Sequence, residues 1–397
     1  MEDNRVFEQK KTKRGVPVFV FIICLFLALM IGGIISFVTA STVYQHRLVG
    51  GTDTTGGQID QKKLDSIKAQ IDKYFIWDYK DSDLTEGAYK GYVQGLGDQY
   101  SNYMTKEEYK EDLESYSGEY SGIGITFNEN DNGYFEVADV VEGSPAEEAG
   151  IVKGDFILTV DGQKYDTTDE TAKHIRGEEG TKVNIEYMHE GKSKKVDITR
   201  KSIHQETVKW EILDGDIGYI RIGSFLETTG DDFKKALDEV EKKGARSLIL
   251  DLRDNGGGLV DECVQVADEF LDKGVVVYCE DKNGKTETYD AEDGKTKLPT
   301  VVLINENSAS ASEILSYAMK DNGYKIIGEN SYGKGVIQVT LPQSDGSALE
   351  LTIMEYLSPD KHKVHGKGVK PDVEVEDDPD TEEDEQLEKA KDAVEKL

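Results

Sequence analysis

Between residues 59 and 119 apolar side chains recur at helical spacing, as at Leu64, Ile67, Ile71 and Phe75, which predicts a small helical domain. Tyr100, Tyr103, Tyr109 and Tyr116 in this stretch read as packing residues. From residue 120 the period changes to two: "SGIGITF" (121–127) and "YFEVADVV" (134–141) alternate as strands. "GSPAEEAGIVKGDFILTVDGQ" (143–163) then reads as a Pro-initiated helical turn, a Gly stop, a strand and a hairpin-like DG turn. From about 204 to 373, short β-branched runs such as "IGYIRI" (217–222), "SLILDL" (247–252), "VVVYC" (275–279), "TVVLIN" (300–305) and "KIIGE" (325–329) alternate with helical patterns at 231–244 and 311–323. Strand–helix alternation of this kind predicts an α/β sheet with helices packed on it.

The two ends differ from this pattern. Residues 16–40 carry no charge and are long enough to cross a hydrocarbon core of ~30 Å as a helix. Lys10, Lys11, Lys13 and Arg14 precede them, so positive-inside bias places residues 1–15 in the cytoplasm. The expectation is one transmembrane signal-anchor helix, with the membrane as a partner, a linker at 41–58 and the rest of the chain extracytoplasmic. A signal peptide cleaved after "VTA" (38–40) is the alternative and gives the same address. At the other end, nine of the twelve residues from Glu374 to Glu385 are acidic, and 374–397 reads as an acidic tail ending in a helix. That helix, "EQLEKAKDAVEKL", suits either a homodimer contact or the core.

Over its 397 residues the chain carries a net charge of −32, which argues against a nucleic-acid partner. Cys263 and Cys279 could form a disulfide or remain buried thiols. No Cys/His metal spacing is present, and "HKVH" (362–365) reads as an exposed basic turn.

Three stretches carry candidate chemistry. In "NENSASASEI" (305–314) a strand ends at Asn305 and a helix begins near Ser310 to Ser312. Free backbone N–H groups and the helix dipole favour negative charge there, which suits a serine whose attack generates an oxyanion. Serine is also a preferred N-cap, so the pattern alone does not choose among Ser308, Ser310 and Ser312. In "SYGKGVIQ" (331–338) Lys334 lies between two glycines that permit a sharp, burying backbone path. A desolvated lysine can act as a general base, and Gln338 could orient its amine. In "DLRDNGGG" (251–258) consecutive glycines after a strand expose N–H groups suited to an oxyanion, while Arg253 and Asp254 hold the loop. No Walker or dinucleotide fingerprint competes with that reading.

The pattern "SPAEEAG...GD.IL.VDG" resembles the circularly permuted PDZ domains of extracytoplasmic proteases over roughly eighty residues. It implies capture of a peptide C-terminus at Gly122, Ile123, Gly124 and Ile125, by N–H groups converging on the carboxylate and a strand edge pairing with the peptide. With "SASASEI", "YGKG...Q" and "DLRDNGGG", the chain from about 60 to 373 resembles the C-terminal processing (tail-specific) serine peptidase family. The resemblance implies a ClpP/crotonase-like α/β core at 204–373, an inserted PDZ domain at 120–203 and an N-terminal helical domain at 59–119. It implies Ser310 as nucleophile, Lys334 as base, Gln338 as its orienter, and oxyanion donors at Gly257 or Gly258 and at Ala311. It implies no metal or cofactor, and protein or peptide substrates with free C-termini. A PDZ domain of this family can gate activity, which makes Arg176 a candidate regulatory link; a surface ion pair with Glu178 or Glu179 is its alternative. The competing function is a non-catalytic, membrane-tethered PDZ scaffold or chaperone.

Overall fold

The computed structural model describes residues 59–130, 133–292, 294, 296–377, 381 and 383–397. The chain divides between Tyr79 and Lys80. On the first side lies the helix Gln61–Tyr74, started by Asp60, whose carboxylate accepts the Lys62 N–H at 3.0 Å.

The second unit is built around a six-stranded sheet. Its order is Val373–Glu374, Lys325–Gly328, Thr300–Ile304, Ser247–Asp251, Ile217–Ile222 and Val208–Leu213. The first five run parallel and the last is antiparallel to its neighbour. Side chains alternate between two covered faces. Leu248, Leu250, Val302 and Ile304 pack with the helices Thr229–Lys242, Val260–Asp268 and Ala311–Asp321. Ile249, Val301 and Leu303 point the other way, onto Ala390 and Val394 of the helix Glu385–Val394. A strand buried on both faces reads as a continuous apolar run, which is how these strands look in the sequence. The C-terminal helix is therefore a layer of the core.

A second sheet centres on Ala348–Leu357, flanked by Asn102–Met104, Val336–Pro342 and Gly274–Asp281. Asn102–Met104, after the helix Asp81–Gln94, and Val336–Pro342, after Lys334, pair with the same central strand from its two sides. The PDZ-like part is a five-stranded antiparallel sheet, ordered Ile125–Glu129, Phe135–Val140, Phe156–Val160, Lys182–His189 and Lys192–Thr199. Its entry and exit are clasped by the pair Glu119–Gly122 and Lys201–His204. Ile185, Val137 and Ile151 lie at the centre of its own apolar core.

One expectation of the fold class is corrected. The α/β core and the PDZ insertion are present, but no helix among the described residues is long and apolar enough to cross a membrane. The longest helices among the described residues have 14 residues, a rise of about 21 Å against the ~30 Å of a hydrocarbon core. The stretch 16–40, where a span was expected, lies outside the described residues. Cys263 and Cys279 are buried free thiols, and burial pushes the Cys279 thiol up to about 11.

Candidate active site

The three serines of "SASAS" fall into different environments. Ser308 is fully buried, its hydroxyl donating to the Leu252 carbonyl at 2.8 Å and accepting the Asn305 N–H at 3.0 Å. Ser312 is fully buried and donates to the Asn255 carbonyl at 2.9 Å. Both tie the helix start to the glycine loop. Ser310 is only half-buried and stands at the helix N-cap with φ 55°. That left-handed conformation costs a non-glycine residue about 1–3 kcal/mol, and such strain clusters at functional sites.

Glu313, three residues on, binds the two candidate catalytic segments into one. Its side chain is fully buried. Oε2 accepts the Ser310 N–H at 2.9 Å and the Lys334 N–H at 2.8 Å, while Oε1 accepts the Gly333 N–H at 2.7 Å and the Ser331 hydroxyl at 2.5 Å. Burial pushes this carboxyl up, and the four donors oppose that shift. Tyr356 makes a second bridge, donating to the carbonyls of Ser310 at 3.1 Å and Lys334 at 2.6 Å. Neither residue was singled out from sequence, although Ser310-x-x-Glu313 has the spacing of a capping box. Tyr356 carries no comparable local signal.

Lys334 is half-buried, and desolvation lowers its amine below the ordinary lysine value, against the pull of Glu350, Asp98 and Glu313. The glycines around it are needed for space. A Cβ on Gly335 would fall 2.1 Å from the His365 backbone nitrogen, and Gly333 has φ 94°. The Lys334 ammonium lies over the Tyr100 ring, 5.0 Å from its centroid. Gln338 donates to Thr352 Oγ1 at 3.1 Å.

The glycine loop closes on Ser310. A Cβ on Gly257 would lie 2.7 Å from Ser310 Cβ and 3.0 Å from the Ala311 nitrogen. The Gly257 N–H donates to Asn255 Oδ1 at 2.8 Å. Among the described residues, the N–H groups of Gly258 and Ala311 have no hydrogen-bond acceptor. The loop is held by Arg253, which pairs with Asp251 at 2.8 Å and with Asp384, the N-cap of the C-terminal helix, at 2.8 Å. Asp254 pairs with Arg221 at 3.0 Å and accepts from Asn305 and Asn307.

In the PDZ-like part, Gly122, Ile123, Gly124 and Ile125 line a groove of about 480 Å³ between the edge strand Ile125–Glu129 and the helix Thr168–Ile175. Arg176, at the end of that helix, lies over the Tyr120 ring at 5.2 Å on the groove wall. Among the described residues it forms no ion pair with Glu178 or Glu179.

Residues 216–375 match the model of peptidase family S41, and residues 121–199 match a PDZ domain model. Carboxy-terminal processing protease CtpA of Bacillus subtilis (strain 168) is 38% identical over 362 residues, covering 90% of this chain and 77% of that protein. A Staphylococcus aureus (strain COL) protein described as a CtpA-like serine protease is 37% identical over 365 residues, covering 88% of this chain and 72% of the relative. A solved Bacteroides fragilis NCTC 9343 structure described as an S41 protease has the same fold at a TM-score of 0.50, with 18% identity over 86% of this chain and 98% of that one. A serine at a strained helix start, a glycine loop closed upon it and a PDZ groove on the same unit thus agree with what the relatives are: the chain belongs to peptidase family S41, as a C-terminal processing serine peptidase.

Proposed function

We propose that Ser310 is the nucleophile, Lys334 its general base and Gln338 the residue that orients the lysine during turnover. The Lys334 lone pair takes the Ser310 proton as Oγ forms a bond to a peptide carbonyl carbon. The carbonyl π pair moves to oxygen, where the N–H groups of Gly258 and Ala311 receive it. When the intermediate collapses, the C–N bond breaks and the lysine returns its proton to the leaving amine. Water then hydrolyses the ester by the same steps. Gly257 contributes differently in this reading: it admits the loop to Ser310, while its N–H serves Asn255.

The groove at Gly122–Ile125 receives a substrate C-terminus, its carboxylate on the loop N–H groups and its backbone along the free edge of Ile125–Glu129. Arg176 is the candidate that senses the occupied groove. An extracytoplasmic location is part of the reading and rests on the uncharged stretch 16–40 behind Lys10–Arg14. The carrying observation is the Glu313 carboxylate, which holds Ser310 and Lys334 by their backbones. Ser310→Ala and Lys334→Ala are expected to abolish cleavage of a tailed reporter by folded protein. Retained cleavage by either variant defeats the assignment.

A further inference from the structure

Tyr100 stands in a turn that precedes the peptidase core by more than a hundred residues, yet its ring faces the lysine. The turn is firmly held. Asp98 accepts the Tyr100 N–H at 3.2 Å and the Ser101 hydroxyl at 2.5 Å. Ser101 Oγ in turn accepts the Thr352 N–H at 3.0 Å, and the next residues, Asn102–Met104, pair with Ala348–Glu350. Thr352 is also the acceptor for Gln338. A single element therefore reaches both Lys334, by the ring, and Gln338, through Thr352.

Among the described residues the Lys334 amine makes no hydrogen bond or ion pair, and the Tyr100 ring face at 5.0 Å is its polar contact. Glu350, Asp98 and Glu313 act on it electrostatically, none of them in an ion pair with it, and Tyr332 interacts with Tyr100. The electron-rich face of an aromatic ring attracts a cation and excludes water at the same time. We infer that Tyr100 is a positioning residue of the active site, its ring face holding the Lys334 side chain and stabilising the ammonium formed when Lys334 takes the Ser310 proton. The inference rests on the Ser–Lys reading above. The proton moves from Ser310 Oγ to Lys334 Nζ and back to the leaving amine, and the ring exchanges nothing.

The test is the pH dependence of kcat/KM for a tailed reporter, using the full chain with Tyr100→Phe and Tyr100→Leu. Phe keeps the ring face and should stay within twofold of the parent with an unmoved acidic limb. Leu keeps the dry wall but loses the face. It should lower kcat by about two- to thirty-fold, leave KM unchanged, and move the acidic limb down by roughly half a unit to one and a half units. Thermal melting checks folding, and Tyr100→Met, with the same expected outcome, replaces Leu should Leu not fold. An unmoved limb and kcat in the ring-free variant, an upward shift, or a Phe variant as impaired as Leu overturns the role of Tyr100. Lys334→Ala separates the two readings: activity in that variant sinks the Ser–Lys mechanism, whereas an inactive Lys334→Ala beside an unaffected Tyr100→Leu sinks the Tyr100 inference alone.

Discussion

Glu313 and Lys334 are joined by a 2.8 Å hydrogen bond from the lysine backbone N–H to Oε2, the same oxygen that accepts the Ser310 N–H at 2.9 Å. Ser310 and Lys334, the proposed nucleophile and base, 24 positions apart in sequence, thereby share one buried atom. A carboxylate can accept four donors here because both of its oxygens are acceptors. Glutamine offers one acceptor oxygen and an amide that confronts N–H with N–H. Glu313→Gln is therefore expected to lose about a hundred-fold or more in kcat, through sub-ångström misplacement of the two segments. Each orphaned donor should also cost about 1–3 kcal/mol of stability. Turnover and labelling by a covalent serine probe, read beside thermal melting, check this; a folded variant within threefold of the parent rules it out.

Gly257 has φ 104°, and its missing side chain leaves room for Ser310. A methyl group there would stand 2.8 Å from the Ala309 carbonyl oxygen as well as 2.7 Å from Ser310 Cβ, so it must displace Ser310 or the loop. Gly257→Ala should retain its fold and lose acylation by at least an order of magnitude. At Gly256 a Cβ meets nothing within 4 Å, which makes Gly256→Ala the matched control. Equal rates of serine-probe labelling in the two variants would contradict the argument.

How much of this was legible in the sequence depended on range. The alternating faces of Ser247–Asp251 and Thr300–Ile304 were readable as apolar runs, and their place between helices followed from the strand–helix order. The serine cluster 308–312, Lys334 and the glycine loop were visible in local composition, though composition did not choose among the three serines. What could not be read was tertiary pairing. Nothing in "EQLEKAKDAVEKL" says that Ala390 and Val394 cover the sheet, because its apolar spacing equally suits a second copy. Nothing near Tyr100 or Tyr356 names a lysine as partner, so these tyrosines look like any packing residue until strand pairing brings them to Lys334. The choice of Ser310 over its neighbours likewise rests on the carbonyls of Leu252 and Asn255, which the other two hydroxyls engage.

The C-terminal helix should act as an acid-sensitive staple on the glycine loop. Burial opposes the charge of Asp384, but hydrogen bonds from Arg253 and the Leu387 N–H outweigh it and hold the carboxyl below its ordinary value. A depressed pKa in the folded state contributes stability above the unfolded value of about 3.9 and loses it as pH falls through the folded one. The Asp384 side chain is 38% exposed, so screening by water limits this gain to on the order of 1 kcal/mol. Asp384→Asn should therefore melt a few degrees below the parent at neutral pH, and the gap should close below about pH 4. A gap that persists at low pH would mean that the amide costs stability for a reason other than charge.

One substitution can obstruct the groove beside Ile125–Glu129. Ala172 lines it from the helix Thr168–Ile175, facing the free strand edge, and is not part of the peptidase core. Ala172→Phe places a ring where a peptide side chain would lie, and should weaken binding of a C-terminal peptide at least ten-fold. Amidating the terminal carboxylate of that peptide should weaken binding to the parent in the same way, since the loop N–H groups then lose their anion. Arg176→Ala leaves the groove open and should preserve binding while abolishing any rise in turnover that the peptide causes. Fluorescence anisotropy with free-acid and amidated peptides, beside turnover of an untailed substrate, separates these cases. Equal affinity for the two peptides would show that the groove does not read a carboxylate, and tailed and untailed substrates should then be cleaved alike.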